Sequence, residues 1–301
     1  MGTVHGVYLK YVGLSAVSYV GYNLLARENL EDGSSTYINM MDMATRLIHP
    51  LLSSTLNVNY SSKSSSIATF RDYDNVTTLV FQTIPACILG YSTILNGVIA
   101  ILFKLEIGMK YIGKNRKDGQ IPLWSKIIYF PFHIPTRLYT YVHSLQDKKK
   151  KIPVASEVQP GWYVGGCYGH ELSDNKQWAG VIDLTVEFPE TTIHNTKAYL
   201  SIPTWDGIPA SPEQLEEGAN FALAASQSGK GGDILIHCAH GRGRSTTMMC
   251  AALVKVGLYP TWEEAFEKGI KPGRSVCKLN RRMKQNLTEW QRIYVDGKKG
   301  Q

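Results

Sequence analysis

The stretch from Ile236 to Thr246, with the sequence IHCAHGRGRST, constrains the fold of this chain more than any other. Before it, the apolar run DILI (233–236) predicts a buried strand; after it, STTMMCAALVKVGL (245–258) predicts a helix that ends near Gly257. A glycine-containing loop therefore joins a strand to the start of a helix. Because the first N–H groups of a helix have no intrahelical partner and the helix dipole is positive there, this loop is a seat for an anion.

Cys238 lies in this seat, with Arg244 six residues later and Ser245 directly after the arginine. A free thiol titrates near pH ~8.5, and nearby positive charge or N–H donors lower that pKa by several units. A thiolate that faces a bound oxyanion is a nucleophile for phosphorus. The guanidinium group can hold two phosphate oxygens, and the hydroxyl can donate to the leaving sulfur. A buried structural cysteine is the alternative, but the joint spacing of these residues with Gly241 and Gly243 favours phosphate chemistry.

The segment HCAHGRGRS resembles the HCxxGxxR[ST] signature of cysteine-dependent phosphatases, and its flanks resemble the dual-specificity branch over residues 152–294, about half of the chain. The resemblance implies an α/β fold with a central, mostly parallel sheet flanked by helices. It also implies a cysteinyl-phosphate intermediate and no cofactor or metal. The residues of this chain that match the phosphate-binding loop are Ala239, His240, Gly241, Arg242, Gly243 and Arg244.

Release of an alkoxide from phosphorus needs a proton donor, and two aspartates at predicted strand ends compete for that role. Asp183 lies inside the apolar segment VIDLT, which favours a buried structural acid. Asp206 ends the segment IPTWD, is followed by glycine and lies 32 residues before Cys238, as the acid loop of the resembled family does. We therefore expect Asp206 to act as the acid in the first step and as the base in the second.

Three further residues flank the predicted nucleophile. We expect His237 to orient the loop through hydrogen bonds rather than to transfer protons. His240 and Arg242 either pack the loop or make the pocket more cationic for a substrate with a second anionic group. Some phosphoinositide phosphatases have extra basic residues there, but Ala239 stands directly after the cysteine, so the match to those enzymes is partial.

The remaining composition argues against several other classes of site. The five cysteines are widely spaced and odd in number, so they predict neither a disulfide framework nor a zinc site, and the histidines form no HExxH motif. Residues 104–151 carry eleven basic and three acidic side chains, whereas residues 152–301 carry sixteen of each. Because the positive excess lies outside the predicted enzyme domain, we do not expect nucleic acid as a partner.

Val76–Phe103 contains 28 residues without a charged side chain or histidine, enough for a transmembrane helix, which needs ~20 apolar residues. Tyr11–Ala26 is a shorter uncharged run that fits a second span, an interfacial helix or a signal-anchor. The basic segment after Phe103 predicts that the enzyme domain faces the cytoplasm. Within that segment, Ile121–Leu145 fits either a membrane-interface segment or a helix packed on the enzyme domain.

Local patterns predict the other elements. GWYVGG (161–166), GVIDLTVEF (180–188) and YLSIPTWD (199–206) predict strands. A capping box, Ser211 to Gln214, predicts a helix to about Ser228, and Thr261 caps another. Met40–Leu52 fits an amphipathic helix, and residues 53–66 a serine-rich loop. A last helix is predicted over 279–294, with its inward face formed by Leu287, Trp290 and Ile293.

The predicted organisation is an N-terminal region (1–75), a transmembrane helix (76–103), a basic juxtamembrane connector (104–151), a phosphatase domain (152–296) and a tail (297–301). One or two transmembrane helices thus precede the α/β domain. The expected activity is metal-independent phosphomonoester hydrolysis by a membrane-anchored, dual-specificity-type protein phosphatase. A phospholipid or phosphoinositide phosphatase and an inactive phosphate-binding adaptor are the alternatives. The expected partners are a phosphorylated protein or phospholipid substrate and a membrane.

Overall fold

The computed structural model describes residues 4–31, 83–168, 171, 176–228 and 232–297. Side chains of the first helix are described for residues 8–25. The chain divides into two compact units, one made of Met1–Tyr11 with Val98–Gln301 and the other of Val12–Gly97. The sheet lies in the first unit, and so does the segment predicted as the connector.

A five-stranded sheet forms the centre of the first unit, in the order β1-β2-β5-β3-β4. The pairs β2–β5, β5–β3 and β3–β4 are parallel, and β1 is antiparallel to β2, so the prediction of a mostly parallel sheet is confirmed. The strands are β1 (Ala155–Gln159), β2 (Trp162–Gly165), β3 (Trp178–Thr185), β4 (Tyr199–Thr204) and β5 (Asp233–His237).

Both faces of the central strands are buried, which explains their continuous apolar sequence. In β5, Ile234 and Ile236 belong to the large core, whereas Leu235 points to the opposite face and packs with Trp178 and Val181. Since the carboxyl ends of parallel strands lie at one edge of a sheet, the ends of β3, β4 and β5 meet there. That edge carries the candidate site.

The longest helices that cover the large core are α5 (Pro212–Gln227), α6 (Arg244–Lys255) and the later helix α9 (Arg281–Gln291). The predicted capping box is confirmed, since Ser211 Oγ accepts from the Gln214 N–H and the Gln214 side chain accepts from the Ser211 N–H. Helix α6 ends at Lys255, close to the end predicted near Gly257.

The segment between α6 and the C-terminus is helical in short pieces: α7 (Trp262–Glu264), a π-helix (Ala265–Ile270) and α8 (Lys271–Gly273). Thr261 caps α7 as predicted. Helix α9 buries Leu287 and Trp290, but the predicted inward position of Ile293 is wrong, because 37% of this residue is exposed. Ile293 lies in a second π-helix (Arg292–Asp296), whose wider turn changes the direction of its side chains.

The predicted connector folds as a 3₁₀ turn (Met109–Ile112), α3 (Leu123–Ile128) and α4 (Phe130–Lys149). Helix α4 buries Phe132, His133 and Thr140, and its contacts with the site described below confirm packing on the domain that carries the sheet. Its outer face is apolar and exposed, with side chains 39–61% exposed at Ile134, Leu138, Tyr139, Tyr141, Val142 and Leu145.

Two long helices precede the connector: α1 (Val4–Glu31) and α2 (Ile84–Leu105). Of the helices in the described part of the chain, α2 alone is long and apolar enough to cross a membrane, by length and composition. It begins later than the predicted span Val76–Phe103, of which residues 76–82 lie outside the described residues. The predicted amphipathic helix Met40–Leu52, the serine-rich loop 53–66 and the sequons at Asn59 and Asn75 also lie outside them.

Candidate active site

In the loop between β5 and α6 (residues 238–243), several backbone carbonyl groups point outward and accept hydrogen bonds from residues outside the loop. The buried guanidinium group of Arg274 donates to the carbonyls of Gly241 (2.8 Å) and His240 (3.3 Å). The N–H of Lys278 donates to the carbonyl of Arg242 at 2.7 Å. With these carbonyls held outside, the loop directs N–H groups to its interior, which is the arrangement that binds an anion.

Gly241 is required where the loop passes the end of β2. Its φ of +65° lies in the left-handed region that favours glycine. A Cβ at this position would lie 2.5 Å from the carbonyl carbon of Gly165, which is too close for any side chain. The glycine recognised in the sequence therefore serves both the turn and the close approach of the two backbones.

Cys238 is buried at the bottom of this loop. Its Sγ lies 3.4 Å from Ser245 Oγ, and the N–H groups of Arg242 and Ser245 point at the sulfur. Burial raises the pKa of the thiol, but the charge of Arg244 and these hydrogen bonds outweigh it, so the pKa of Cys238 lies below its ordinary value. The site therefore favours the thiolate.

Arg244 links the ends of two strands, β3 and β4, through its guanidinium group. Nη1 donates to the carbonyls of Leu184 (2.9 Å) and Thr204 (2.7 Å), and Nη2 pairs with Glu187 Oε1 at 2.5 Å. Burial lowers the pKa of Arg244, but Glu187 and Asp206 raise it by more, so the group stays charged. Its buried Nε has no hydrogen-bond partner among the described residues, which leaves one donor for an anion.

Asp206 lies in a turn after β4, in which the N–H of Ile208 donates to the carbonyl of Trp205 at 3.0 Å and Gly207 has a φ of +80°. One of its carboxylate oxygens lies 3.3 Å from Arg244 Nη2. Burial raises the pKa of this carboxyl group, but the charge of Arg244 lowers it by more. In this geometry Asp206 is ionised at neutral pH.

His237 belongs to a buried cluster of four charged groups beneath the loop. Its Nε2 lies 2.6 Å from Glu190 Oε2 and 3.9 Å from Asp183, whose other oxygen is paired with Lys114. Burial lowers the pKa of His237, but Glu190 and Asp183 raise it to about 9, so the ring is cationic at neutral pH. The hydrogen bond of His237 is thus to Glu190, in the segment after β3, and its expected role in orienting the loop stays a prediction.

Three side chains of this cluster, Asp183, Glu190 and His237, each have one possible metal-ligand atom, and these three atoms lie within 4.8 Å of one another. Lys114 pairs with one of these three side chains: its Nζ donates to Asp183 and, at 2.9 Å each, to the carbonyl and hydroxyl of Thr185. Two carboxylates thus face two cations. Asp183 is the buried structural acid that the sequence favoured.

At the rim of the site, helix α4 contacts both residues that were considered for a second anionic group. Arg242 Nη2 lies 2.5 Å from Asp147, so its charge is already compensated. The ring of His240 lies 4.9 Å from that of His143 and 6.0 Å from that of Tyr139. Burial, followed by nearby cations, lowers the pKa of His240 to about 4, although Asp206 opposes the shift; the ring is therefore uncharged at neutral pH.

The structure thus brings together four of the predicted residues, Cys238, Arg244, Asp206 and Ser245, at the carboxyl edge of the sheet. Ala239 and Gly243 lie in the same loop. The catalytic roles of Cys238, Arg244, Asp206 and Ser245, and the phosphate-binding role of the loop, stay predictions.

The sequence analysis did not single out several residues that surround the site, among them Lys114 and Glu190 beneath the loop, and Glu187 and Arg274. Glu187, which pairs with Arg244, lies two residues after the end of β3, and an acidic residue close to the carboxyl end of a parallel strand was a usable signal. Arg274 lies 36 residues after Cys238 in an unremarked segment, and nothing local distinguishes it from the other basic residues.

Comparison with known proteins gives matches among solved structures alone. No family model matches the sequence, and no curated protein matches it. A variant of human DUSP28 is 21% identical, with 48% of this chain and 99% of that chain covered and a TM-score of 0.43. PTPMT1 in complex with PI(5)P is 22% identical, with 48% and 99% covered and a TM-score of 0.40. DUSP15 is 26% identical, with 48% and 90% covered and a TM-score of 0.37. These TM-scores are below 0.5, and the likenesses assign no function to this chain.

The cationic His237 predicts a pH dependence of stability. Since its pKa is about 9 in the folded chain and 6.5 ordinarily, the folded state binds more protons between these values, and the free energy of unfolding should fall as pH rises from 6.5 to 9. His237→Gln should remove this decline and, by leaving Glu190 without its partner, cost about 3–5 kcal/mol below pH 6.5.

Urea unfolding in mild detergent, followed by tryptophan fluorescence, measures this effect. The exposed His194 provides the control, because His194→Gln should keep both the stability and its pH dependence. A decline of the same size in His237→Gln would contradict the assignment.

Proposed function

We propose that this chain is a cysteine-dependent phosphomonoesterase of the dual-specificity type, anchored to a membrane. The observation that carries the proposal is the combination of a buried thiol whose pKa is lowered, Cys238, with the unpaired donor Arg244 Nε in one anion-binding loop. A structural cysteine has no need of a charged neighbour, and a buried arginine donor without a partner is costly. A bound phosphate accepts from Arg244 Nε and places its phosphorus against the thiolate.

In the first step, the Cys238 thiolate attacks phosphorus, the S–P bond forms and the bond to the leaving oxygen breaks. Arg244 binds the equatorial oxygens through Nε and Nη2, which releases Asp206 from its pair with Nη2. The loss of this cation and the approach of a phosphate dianion both raise the pKa of Asp206. The carboxylate can then take a proton from solvent and donate it to the leaving oxygen as the P–O bond breaks.

In the second step, water attacks the cysteinyl-phosphate and the S–P bond breaks. Asp206, now ionised, accepts the proton of the water. Ser245 Oγ, at 3.4 Å from Sγ, donates to the sulfur as it leaves as a thiolate. The chain's own groups thus supply the nucleophile, the acid and base, and the positive charge that the reaction needs.

A phosphorylated protein is the substrate class that we favour. The second cation expected at the rim, Arg242, is compensated by Asp147, and His240 is uncharged, so these two residues add little charge for a multiply anionic headgroup. A phospholipid is the second candidate, favoured by the exposed apolar face of α4, which lies within the segment 104–151 and its eight excess positive charges. An inactive phosphate-binding adaptor has no such observation in its favour.

Membrane anchoring by α2 is supported by its length, its apolar composition and a row of exposed apolar side chains. Ile84, Ile88, Ile94, Val98, Ile101 and Leu105 are each 40–60% exposed, although water disfavours such a surface. We propose that the basic connector after α2 places the enzyme domain on the cytoplasmic side.

Cys238→Ser should abolish turnover of a phosphopeptide, because a serine hydroxyl at neutral pH is not ionised and no cysteinyl-phosphate forms. Cys250, buried in α6, provides the control: Cys250→Ala should keep most of the activity.

Asp206→Asn should slow an alkyl phosphate at least about a hundredfold and an aryl phosphate with a good leaving group far less. Turnover by Cys238→Ser, or equal losses on both substrates in Asp206→Asn, would reject these roles.

The substrate class is tested through the Arg242–Asp147 pair. Asp147→Asn releases the charge of Arg242, so it should raise turnover of a phosphoinositide relative to a phosphopeptide, and Arg242→Ala should cancel this gain. Glu171→Gln breaks the neighbouring ion pair with Lys148 (2.9 Å) and should change neither substrate. If Asp147→Asn leaves the ratio of the two rates unchanged, the charge of Arg242 takes no part in substrate choice, and the phospholipid class rests on the membrane surface alone.

Membrane topology is tested in sealed vesicles whose cytoplasmic face is outside. Protease added to these vesicles should digest residues 152–296, because we expect that region to face the cytoplasm. Protection of the region would contradict the orientation, and its release by carbonate would contradict the span.

A further inference from the structure

Four aromatic side chains from four separate segments form one buried cluster beside the site. They are Tyr11 of α1, Phe103 of α2, Phe132 of α4 and Trp205, the residue before Asp206. Ring centroids lie 6.1 Å apart for Phe103–Trp205, 6.0 Å for Phe132–Trp205, 6.0 Å for Tyr11–Phe103 and 5.7 Å for Tyr11–Phe132. Three of the four rings therefore come from outside the region predicted as the phosphatase domain.

Trp205 is held in this cluster by packing and by a directed hydrogen bond. Its ring is 1% exposed, and its indole N–H donates to the carbonyl of Ile107 at 2.9 Å. Ile107 is itself fixed at the end of α2, where its N–H donates to the carbonyl of Leu102 at 3.0 Å. A buried indole N–H needs such a partner, so the position of Trp205 depends on the end of α2.

Asp206 is the next residue in the same turn, so the position of Trp205 affects the position of the Asp206 carboxylate. The turn is closed by the bond from the Ile208 N–H to the Trp205 carbonyl, and its far side is held by Asn280, whose side chain donates to the Gly207 carbonyl at 3.0 Å. A proton donor has to lie within hydrogen-bond reach of the leaving oxygen, so a small displacement of the turn weakens acid catalysis.

We propose that the cluster of Tyr11, Phe103, Phe132 and Trp205, with the carbonyl of Ile107, positions Asp206 for proton transfer. Segments that precede the phosphatase domain thereby determine its acid step. This inference rests on the proposed phosphatase activity. It assigns a positioning role to residues that do not touch the substrate.

The first test compares two tryptophans in the full chain reconstituted in vesicles. Trp205→Phe keeps a ring in the cluster but removes the N–H donor, so turnover of an alkyl phosphate should fall about tenfold and that of an activated aryl phosphate less than about twofold. Trp290 is also buried and donates from its indole to Glu216 at 3.0 Å, away from the site. Trp290→Phe should change both rates by the same factor.

The second test uses a residue outside the phosphatase domain. Phe132→Leu should lower the alkyl rate more than the aryl rate, whereas Phe266→Leu in the large core should not separate the two rates. Backbone hydrogen exchange of residues 203–209 provides a readout without turnover. It should become faster in Trp205→Phe and Phe132→Leu, and stay as in the wild type in Trp290→Phe and Phe266→Leu.

The outcomes separate the two proposals. Faster exchange together with a selective loss on the alkyl substrate supports the positioning role. Unchanged exchange of residues 203–209 in both cluster variants, or equal losses on the two substrates, overturns it. A wild-type chain that turns over neither substrate rejects the proposed function instead, and the exchange measurement still decides whether the cluster holds the turn.

Discussion

The buried ion pair between Arg244 and Glu187 is the interaction on which the site depends. Moving an isolated charged side chain out of water costs several kcal/mol even after relaxation, so Arg244 is stable at 2% exposure only with its partners in place. Those partners come from the ends of β3 and β4, and the arginine itself begins α6. One guanidinium group therefore fixes the relative positions of two strand ends and the anion loop, and the same group lowers the pKa of the cysteine.

Charge balance explains why the rest of the site has its composition. Beneath the loop, the carboxylates of Asp183 and Glu190 face the cations Lys114 and His237, and each charge is paired within hydrogen-bond distance. Arg274 is also charged, but its acceptors are backbone carbonyl and hydroxyl oxygens, which carry no negative charge. Because the guanidinium group is buried without a carboxylate partner, its pKa is lowered. This residue keeps the loop open to an anion because it binds carbonyls that would otherwise repel one.

The local parts of this arrangement could be predicted from the sequence, and the long-range parts could not. The strand, the glycine loop and the helix after it follow from apolar runs and turn residues, and so does the cap at Ser211, because each depends on neighbours within a few residues. The pairing of Arg242 with Asp147 joins residues 95 positions apart, and no pattern of spacing encodes it. The direction of Ile293 was wrong because a π-helix departs from the 3.6-residue period on which the prediction relied.

The segment Ile121–Leu145 fits either a membrane interface or packing on the enzyme domain, and helix α4 has one apolar face suited to each. Helix α4 has an apolar face toward the sheet domain, where Phe132 is buried, and a second apolar face, around Leu138, that is exposed. A helix that packs only on a soluble domain needs one apolar face, since an exposed one is unfavourable in water. On the inner side of α4, Phe132 contacts Trp205 and Asp147 pairs with Arg242, so this helix joins the turn that carries Asp206 to the loop that carries Cys238. The residues that surround Asp206 thus come from the whole unit of Met1–Tyr11 and Val98–Gln301, and not from the sheet and its covering helices alone.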